Sequence, residues 1–527
     1  PFPRASTLAV ALIAATLSAC AGAPVARADA NATDAAMTTQ TATADARFAD
    51  FSKRWLDGSL ALSPVNATQQ GDHRFDTQLD DLSAAGLTKA TVFDRKMLAE
   101  LDGIDVAALS RENQIDAAIV RNAIEYDLWS IETAQSWAWD PQVYGGLAGG
   151  AIYSLMARDF APMPERLKAA TARMEKLPAL FAQMRRNLEP ARVPKIHAET
   201  VAKQNGGVIS LVEEFILPNA GQLQGADRAR LDAAVANLRK AVAEHQAWLD
   251  KTLVPNAKGD FRIGAKLYDE KLRFALMSSL SRAEIKQRAE AEIVRVRATM
   301  YGIARQVLKD KPGAPALPET PTDEQQQKAI ETALELAYAD RPARDKVVDS
   351  AKAALAQATD FTRTHQLVTV PDDPVDVILM PEFQRGVAVA YCDSPGPLDK
   401  GLKTYYAISP IPDDWTAEQT DSFLREYNTR MIHLLSIHEA MPGHYLEGAH
   451  SARHPSVVRG VLRSGCYLTH DHVHYHRHLQ CMGLRLRQAS TLQPALEVLA
   501  AVQSVPEPGL AILGAGRRDL SFDQCMP

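Results

Sequence analysis

Hydrophobic residues recur at helical spacing along most of the chain from Ala46 onward. Phe48, Phe51, Trp55 and Leu56, for example, fall on one face of a helix. Similar spacing predicts further helices over 113–133, 166–188, 226–253, 282–303, 323–339 and 343–364. Prolines tend to lie between these segments, where a helix cannot continue easily. The pattern therefore indicates a large array of helices.

Strand-like sequence is sparse and lies in the second half of the chain. Short apolar and β-branched runs occur at 366–371, 376–380 and 386–391. We therefore predict a mainly α protein with a small β-sheet, placed just before the motif described below. One further segment, 137–153, is rich in aromatic residues and glycine. It is typical either of a loop that lines a substrate cleft or of a buried corner between helices, and we favour the corner.

The N-terminus has the pattern of a bacterial export signal. Residues 7–17 form an apolar run of 11, which suits a signal-peptide core and is too short to span a bilayer. The run ends in Leu-Ser-Ala-Cys at 17–20, which resembles the lipobox in which the cysteine receives the lipid. The alternative is an ordinary cleaved signal followed by a chance cysteine. We predict a lipoprotein signal peptide over 1–20 and lipidation of Cys20.

Two further features bear on localisation. Ala21 follows the cysteine, a pattern that resembles the sorting signal for the outer membrane in Gram-negative bacteria. Residues 21–45 are mostly small and polar and contain no aromatic residue, leucine or isoleucine, so they predict a flexible tether. We therefore expect a periplasmic protein that a lipid at Cys20 anchors to the outer membrane.

Composition and charge exclude several classes of protein. The chain has 527 residues and a net charge of −6, so no basic surface points to nucleic acid as a partner. Its five cysteines are scattered, odd in number and without a CxxC pair. A disulfide framework or a cysteine-based zinc site is therefore not indicated.

The motif that carries chemistry is His-Glu-Ala-Met-Pro-Gly-His at 438–444. Apolar spacing predicts a helix from about 417 to 440, which would present His438 and Glu439 at its C-terminal end. Zinc binds imidazole and carboxylate groups, and a nearby carboxylate can take a proton from water. The HExxH motif of zinc peptidases places its second histidine at i+4.

Here the second histidine is at i+6, about 120° away from the first on a straight helix. Pro442 disfavours helix, and Gly443 permits a sharp turn. We therefore predict that the helix breaks at 441–443 and that His444 turns back towards His438. The alternative is that both are ordinary histidines at a helix end.

Residues 438–447 match the signature HEAxPGHxxQ, with Glu447 where glutamine is usual, and the chain from about 46 to 465 resembles the bacterial family of unknown function DUF885. Segments 140–144, 160–162 and 380–383 also resemble that family. The family is similar to zinc metallopeptidases of the HExxH type. The resemblance implies a zincin-like architecture, one zinc ion held by His438 and His444, and Glu439 as general base. It also implies a third, acidic ligand further along, in a segment like Glu-Gly-Trp-Ala.

No such segment follows, and the sequence changes character after residue 465. Residues 466–480 contain five alternating histidines, and three of the five cysteines lie beyond 465. Three interpretations are open for 466–527: a frameshifted end, a genuine His-rich metal-binding tail, or a divergent or disordered tail. Under the first, this chain lacks its third ligand, a loss that can leave it inactive.

The sequence therefore predicts a catalytic domain over 46–465 that acts as a zinc-dependent peptidase on peptides in the periplasm. Glu439 would be the base for the attacking water. Three residues near the motif can in principle polarise a substrate carbonyl, although each also suits a packing or surface role: Tyr405, Tyr406 and Arg425. The alternative function is that of a non-catalytic lipoprotein on the same scaffold, either a binding protein or an inactive homologue.

Overall fold

The computed structural model describes the backbone of residues 30–373, 375–453, 502–507 and 510–513, and side chains from 42 to 450 apart from position 374. The predicted signal peptide, Cys20 and the start of the tether therefore lie outside the described residues. So does the His-rich stretch 466–480. The boundary predicted at 465 and the nature of the tail remain predictions.

The N-terminal half is built from helices joined by short turns. These helices are α1 Ala30–Leu62, α2 Pro64–Gln69, α3 Ala84–Asp102, α4 Arg111–Trp129, α5 Ser136–Trp139, α6 Gln142–Met156, α7 Met163–Met174, α8 Leu177–Asn187, α9 Lys195–Gln204, α10 Gly207–Leu211 and α11 Gly225–Trp248. Helix α1 begins well before the apolar face that predicts it. The predicted tether residues from 30 to 45 are helical because alanine, frequent there, has the highest helix propensity.

The second half continues with helices that lead to the sequence motif. They are α12 Val254–Asn256, α13 Gly264–Leu276, α14 Arg282–Leu308, α15 Asp323–Ala339, α16 Val347–Thr364, α17 Ala417–Glu426, α18 Thr429–Glu439 and α19 His444–Arg453. None of the helices in the described part of the chain combines the length and the apolar character that crossing a bilayer requires.

Three strands form a small mixed sheet: β1 Val375–Leu379, β2 Ala390–Asp393 and β3 Thr404–Ile408. The central strand β3 pairs in parallel with β1 and antiparallel with β2, so β2 is an edge strand. Two of the predicted strands, 376–380 and 386–391, correspond roughly to β1 and β2. The third, 366–371, is not a strand, whereas β3 was not predicted. Two more strands, β4 Val502–Glu507 and β5 Leu510–Leu513, pair antiparallel with each other.

The largest core surrounds α6, which packs against α2, α7, α8, α9 and α10, while α11 packs on α7 and α8. Most of the segment 137–153 is helical, in α5 and the central helix α6, so the prediction of a corner between helices holds only for the turn at 140–141. Its glycines make that helix thin enough for close packing. A Cβ at Gly149 would lie 2.0 Å from the ring of Phe383, which packs directly against the helix. The fold is therefore mainly α with a small sheet, as the pattern predicts.

A second core lies between the sheet and the helices that carry the motif. Tyr406 and Ile408 from β3 meet Ile432 from α18, together with Met441 and Tyr445 from the motif region. Helix α16 packs against both α18 and β1. The motif thus packs against the sheet on one side and against α16 on another.

Candidate metal centre

The segment before the motif is two helices rather than the single helix predicted from 417 to 440. Helix α17 ends at Glu426 and α18 begins at Thr429. Between them, the Asn428 side chain accepts hydrogen bonds from the backbone N–H groups of Arg430 and Met431, at 3.0 and 3.3 Å. This is an N-cap, which satisfies the first donors of the new helix. Apolar spacing continues across the break, which is why periodicity alone missed it.

The break predicted at 441–443 is present and begins one residue before the expected helix end at about 440. Helix α18 ends at Glu439, the Met441–Pro442 peptide is cis, and α19 begins at His444. Gly443 passes against the end of α18. A Cβ on Gly443 would lie 1.9 Å from the carbonyl oxygen of His438, closer than any side chain is tolerated. The turn that returns His444 to α18 therefore needs glycine at 443.

This turn brings the three polar residues of the motif together. The ring centroids of His438 and His444 are 4.7 Å apart, with the rings nearly perpendicular at 83°. Nitrogens of the two imidazoles and an oxygen of the Glu439 carboxylate all lie within 4.8 Å of one another. Glu439 is buried, with 8% of its surface exposed, and both histidines are partly exposed. Two imidazoles beside a carboxylate are a donor set that suits zinc.

The floor of this site consists of groups that stay protonated at neutral pH. Burial raises the pKa of the Tyr406 hydroxyl to about 12, and the negative charge of Glu439 adds to the effect. Burial, with a smaller contribution from Glu439, likewise raises the pKa of the Cys392 thiol to about 12. Cys392 lies opposite Tyr406 in the β2–β3 register. The Glu439 carboxylate therefore faces neutral hydroxyl and thiol groups rather than a cation on this side.

Ser436 connects the sheet to the motif helix. Its hydroxyl donates to the carbonyl oxygen of Ile432 at 2.9 Å and lies 3.4 Å from the Tyr406 hydroxyl. The residue is fully buried one turn before Glu439. Sequence reasoning missed Ser436 and Cys392. The alternation of side chains along β2 and β3 would have placed Cys392 and Tyr406 on one face, had β3 been recognised.

The structure separates the three residues suggested as carbonyl-polarising groups. Tyr406 lies beneath the site, but Tyr405 points to the opposite face of β3, where its hydroxyl donates to the carbonyl of Ala157 at 2.7 Å. Arg425 lies on α17 and pairs with Glu335 at 2.6 Å on the exposed surface. Of these three residues, only Tyr406 lies near Glu439.

Glu447, the residue that replaces the usual glutamine, lies one turn into α19. Its carboxylate oxygen is 3.8 Å from Nδ1 of His444, too long for a hydrogen bond but close enough for electrostatic attraction to a charged imidazole. Both side chains are largely buried. The exchange of glutamine for glutamate thus adds a negative charge beside one of the two histidines.

The edge strand β2 is tied to the central helix by a polar cluster. The Asp393 carboxylate accepts a hydrogen bond from the Tyr153 hydroxyl at 2.7 Å and pairs with Arg158 at 2.9 Å. Arg158 also donates to the carbonyl oxygens of Asp393 and Lys403. Because Tyr153 belongs to α6, this cluster fixes the sheet, and with it the floor of the site, to the helical body.

Comparison with known proteins identifies the family. The chain belongs to the family described as bacterial protein of unknown function (DUF885), whose sequence profile matches residues 64–472. The match begins later than the predicted start at 46 and runs past 465. No curated protein matches the chain.

Two solved structures share the fold. One, from Shewanella oneidensis, is a predicted lipoprotein of unknown function with 30% sequence identity. The alignment covers 78% of this chain and 73% of that one, with a TM-score of 0.59. The other, a predicted lipoprotein from Colwellia psychrerythraea, is 14% identical over 77% of this chain and 73% of its own, with a TM-score of 0.55. The second likeness concerns the fold alone.

Proposed function

We propose that this protein is a zinc-dependent peptidase and that His438, Glu439 and His444 form its catalytic centre. The observation that carries the proposal is the convergence of their ligand-capable atoms within 4.8 Å, across a turn that needs glycine. In this proposal the helix pair α18–α19 and the adjoining sheet correspond to a zincin-like architecture. No segment like Glu-Gly-Trp-Ala follows residue 465, so the sequence does not identify the third, acidic ligand that the family resemblance implies.

Each residue has a distinct role in the proposed reaction. His438 and His444 would hold the metal through their imidazole nitrogens. A bound zinc ion acts as a Lewis acid and lowers the pKa of water. The Glu439 carboxylate accepts a proton from the attacking water and passes it to the leaving nitrogen of the peptide bond. Tyr406 and Ser436, beneath α18, fix the position of the helix end that presents Glu439.

The test is the Glu439→Gln variant. We expect it to keep the metal and to lose at least about 100-fold in the rate of peptide hydrolysis, because the amide cannot accept the proton. The assay is cleavage of a fluorescence-quenched library of mixed peptides by the zinc-loaded protein. The matched control is Glu447→Gln, which makes the same chemical change in the same motif and introduces the residue usual in the family. It should retain hydrolysis.

Two outcomes would contradict the proposal. If Glu439→Gln cleaves peptides at near wild-type rate, Glu439 is not the base. If the folded, zinc-loaded wild-type protein cleaves no member of the library, the peptidase assignment is wrong and a non-catalytic binding role takes its place.

We also propose that the protein is anchored to the outer membrane, on its periplasmic side, by a lipid on Cys20. The lipobox-like sequence supports this, and the 30% identical structure from Shewanella oneidensis is that of a predicted lipoprotein. In a Gram-negative host, Cys20→Ala should move the protein from the membrane fraction to the soluble fraction, whereas Cys392→Ala should not. Unchanged fractionation, with no lipid on Cys20 by mass spectrometry, would contradict the anchor.

A further inference from the structure

A large cavity lies between the N-terminal helices and the central helix α6. Its volume is about 1140 Å³, enough for a ligand of several residues or a drug-sized molecule. Helices α1, α3 and α4 form one wall, α6 forms another, and the segment 383–391 closes a third side. Much of the lining is apolar or aromatic, including Trp55, Leu147, Tyr153, Phe383 and Tyr391.

This cavity is distinct from the candidate metal centre. His438, Glu439 and His444 are not among its lining residues. The edge strand β2 stands between the two, because Tyr391 lines the cavity whereas its neighbour Cys392 belongs to the core beneath the motif. A ligand in the cavity would therefore contact a different set of side chains from a substrate at the metal.

A largely buried carboxylate, that of Asp94, lines the cavity. Asp94 on α3 lines the cavity, only 6% of its surface is exposed, and it makes no hydrogen bond to a described residue. Burial, together with the negative charge of Asp127 on α4, raises the pKa of Asp94 to about 7. Asp127 also lines the cavity. Burying a carboxylate without a partner costs free energy, which a cation placed beside it would recover.

Two other acidic residues of the lining have hydrogen-bond partners, although burial still raises the pKa of one of them, Asp80. Asp80 accepts a hydrogen bond from the backbone of Val65, and Asp81 accepts bonds from the backbone of Ser83 and the side chain of Gln183. The one lysine of the described lining, Lys89, is exposed and lowers the pKa of Asp81. Asp94 differs from Asp80 and Asp81 because it makes no hydrogen bond to a described residue.

We propose that this cavity is a binding site for an organic cation, a primary amine or guanidinium joined to an apolar body. The cationic group pairs with Asp94, while the apolar body packs among the aromatic and aliphatic walls. Aromatic rings beside carboxylates suit such ligands, because ring faces attract cations as well as apolar groups. The proposal does not depend on the peptidase assignment.

The first test compares two probes that differ in charge alone. Phenylbutylamine is a cation at pH 8, and phenylbutanol has nearly the same shape without the charge. Calorimetric titration should show that wild type binds the amine at least about tenfold more tightly, a difference of about 1.4 kcal/mol. Asp94→Asn should abolish this preference while leaving the affinity for the alcohol unchanged. Equal affinities of wild type for the two probes, or an unchanged preference in Asp94→Asn, would overturn the proposal.

A second variant tests the cavity independently of the charge. Gly146 on α6 lines the cavity, and a Cβ built there meets no atom within 4 Å, so Gly146→Phe can fill the space without a clash. It should abolish binding of both probes while the protein remains folded by circular dichroism. Gly145→Ala changes the adjacent glycine, which faces Val201 instead, and should bind both probes as wild type does. Undiminished binding in Gly146→Phe would place the ligand elsewhere and overturn the proposal.

Discussion

At the scale of single residues, Gly443 decides whether the two histidines can meet. The chain must leave α18 after Glu439 and return within four residues, so the backbone at 443 runs against the carbonyls of Ile437 and His438. Any side chain at this position would occupy the space of those carbonyl oxygens. The geometry of the candidate metal centre therefore depends on a residue that has no side chain to bind a metal.

Gly443→Ala should lower the free energy of unfolding by about 1–3 kcal/mol, the usual cost of forcing extra atoms into a packed site. It should also weaken zinc binding, because His444 is displaced. Thermal unfolding and zinc titration measure the two effects. The control is Gly302→Ala in α14, where a Cβ meets nothing and alanine favours helix, so stability should be unchanged or slightly higher. Wild-type stability and zinc affinity in Gly443→Ala would show that the close approach does not constrain the site.

At the scale of elements, the sequence predicts those helix ends that depend on local chemistry. The break after Glu439 follows from proline and glycine inside a helical pattern, and the structure confirms it. The break at 427–428 was missed because the apolar spacing runs through it and the deciding interaction is one side-chain cap by Asn428. Such a cap competes with helix continuation by only about 1 kcal/mol, so packing around it decides the outcome.

The sheet shows the other limit of sequence reasoning. Strand β3 is only five residues long, and its central place depends on pairing with two strands that are distant in sequence. Which face each side chain takes follows from that pairing. The sequence could therefore suggest Tyr405 and Tyr406 as a pair but could not tell that only Tyr406 faces Glu439. The cavity depends on contacts among four helices, so no local sequence pattern predicts it.

At the scale of the whole molecule, a charged clamp joins the N-terminal helices to the loop after β2. His73 hydrogen-bonds Asp76 at 3.0 Å and Asp399 at 3.2 Å, and its ring stacks on Phe160 with centroids 3.7 Å apart. Burial alone would lower the pKa of His73, but the bonds to Asp399 and Asp76 outweigh it and raise the pKa to about 9. The clamp therefore holds a protonated histidine at neutral pH.

This clamp predicts a defined pH dependence of stability. Because the folded state raises the pKa of His73 from 6.5 to about 9, its contribution is complete below pH 6.5 and is lost as pH rises through 9. His73→Gln should cost about 1–3 kcal/mol in the free energy of unfolding at pH 6 and much less at pH 10. Urea unfolding across this range measures the difference. Asp399→Asn removes one hydrogen-bond partner of His73 and should show a smaller pH-dependent loss of stability. If the loss of stability in His73→Gln does not depend on pH, the clamp is contradicted.

The central claim is that His438 and His444 together hold one zinc ion, and metal stoichiometry tests it most directly. Mass spectrometry of the metal content should find that His438→Ala and His444→Ala each contain one zinc per chain fewer than wild type, while Glu439→Gln keeps the wild-type amount. The test compares the zinc content of each variant with that of wild type rather than relying on the total zinc content. The reason is that the histidines at 470–478 can also take up metal. His450→Ala, a change further along α19, serves as the control and should match wild type. Folded His438→Ala and His444→Ala proteins with the same zinc content as wild type would contradict the account.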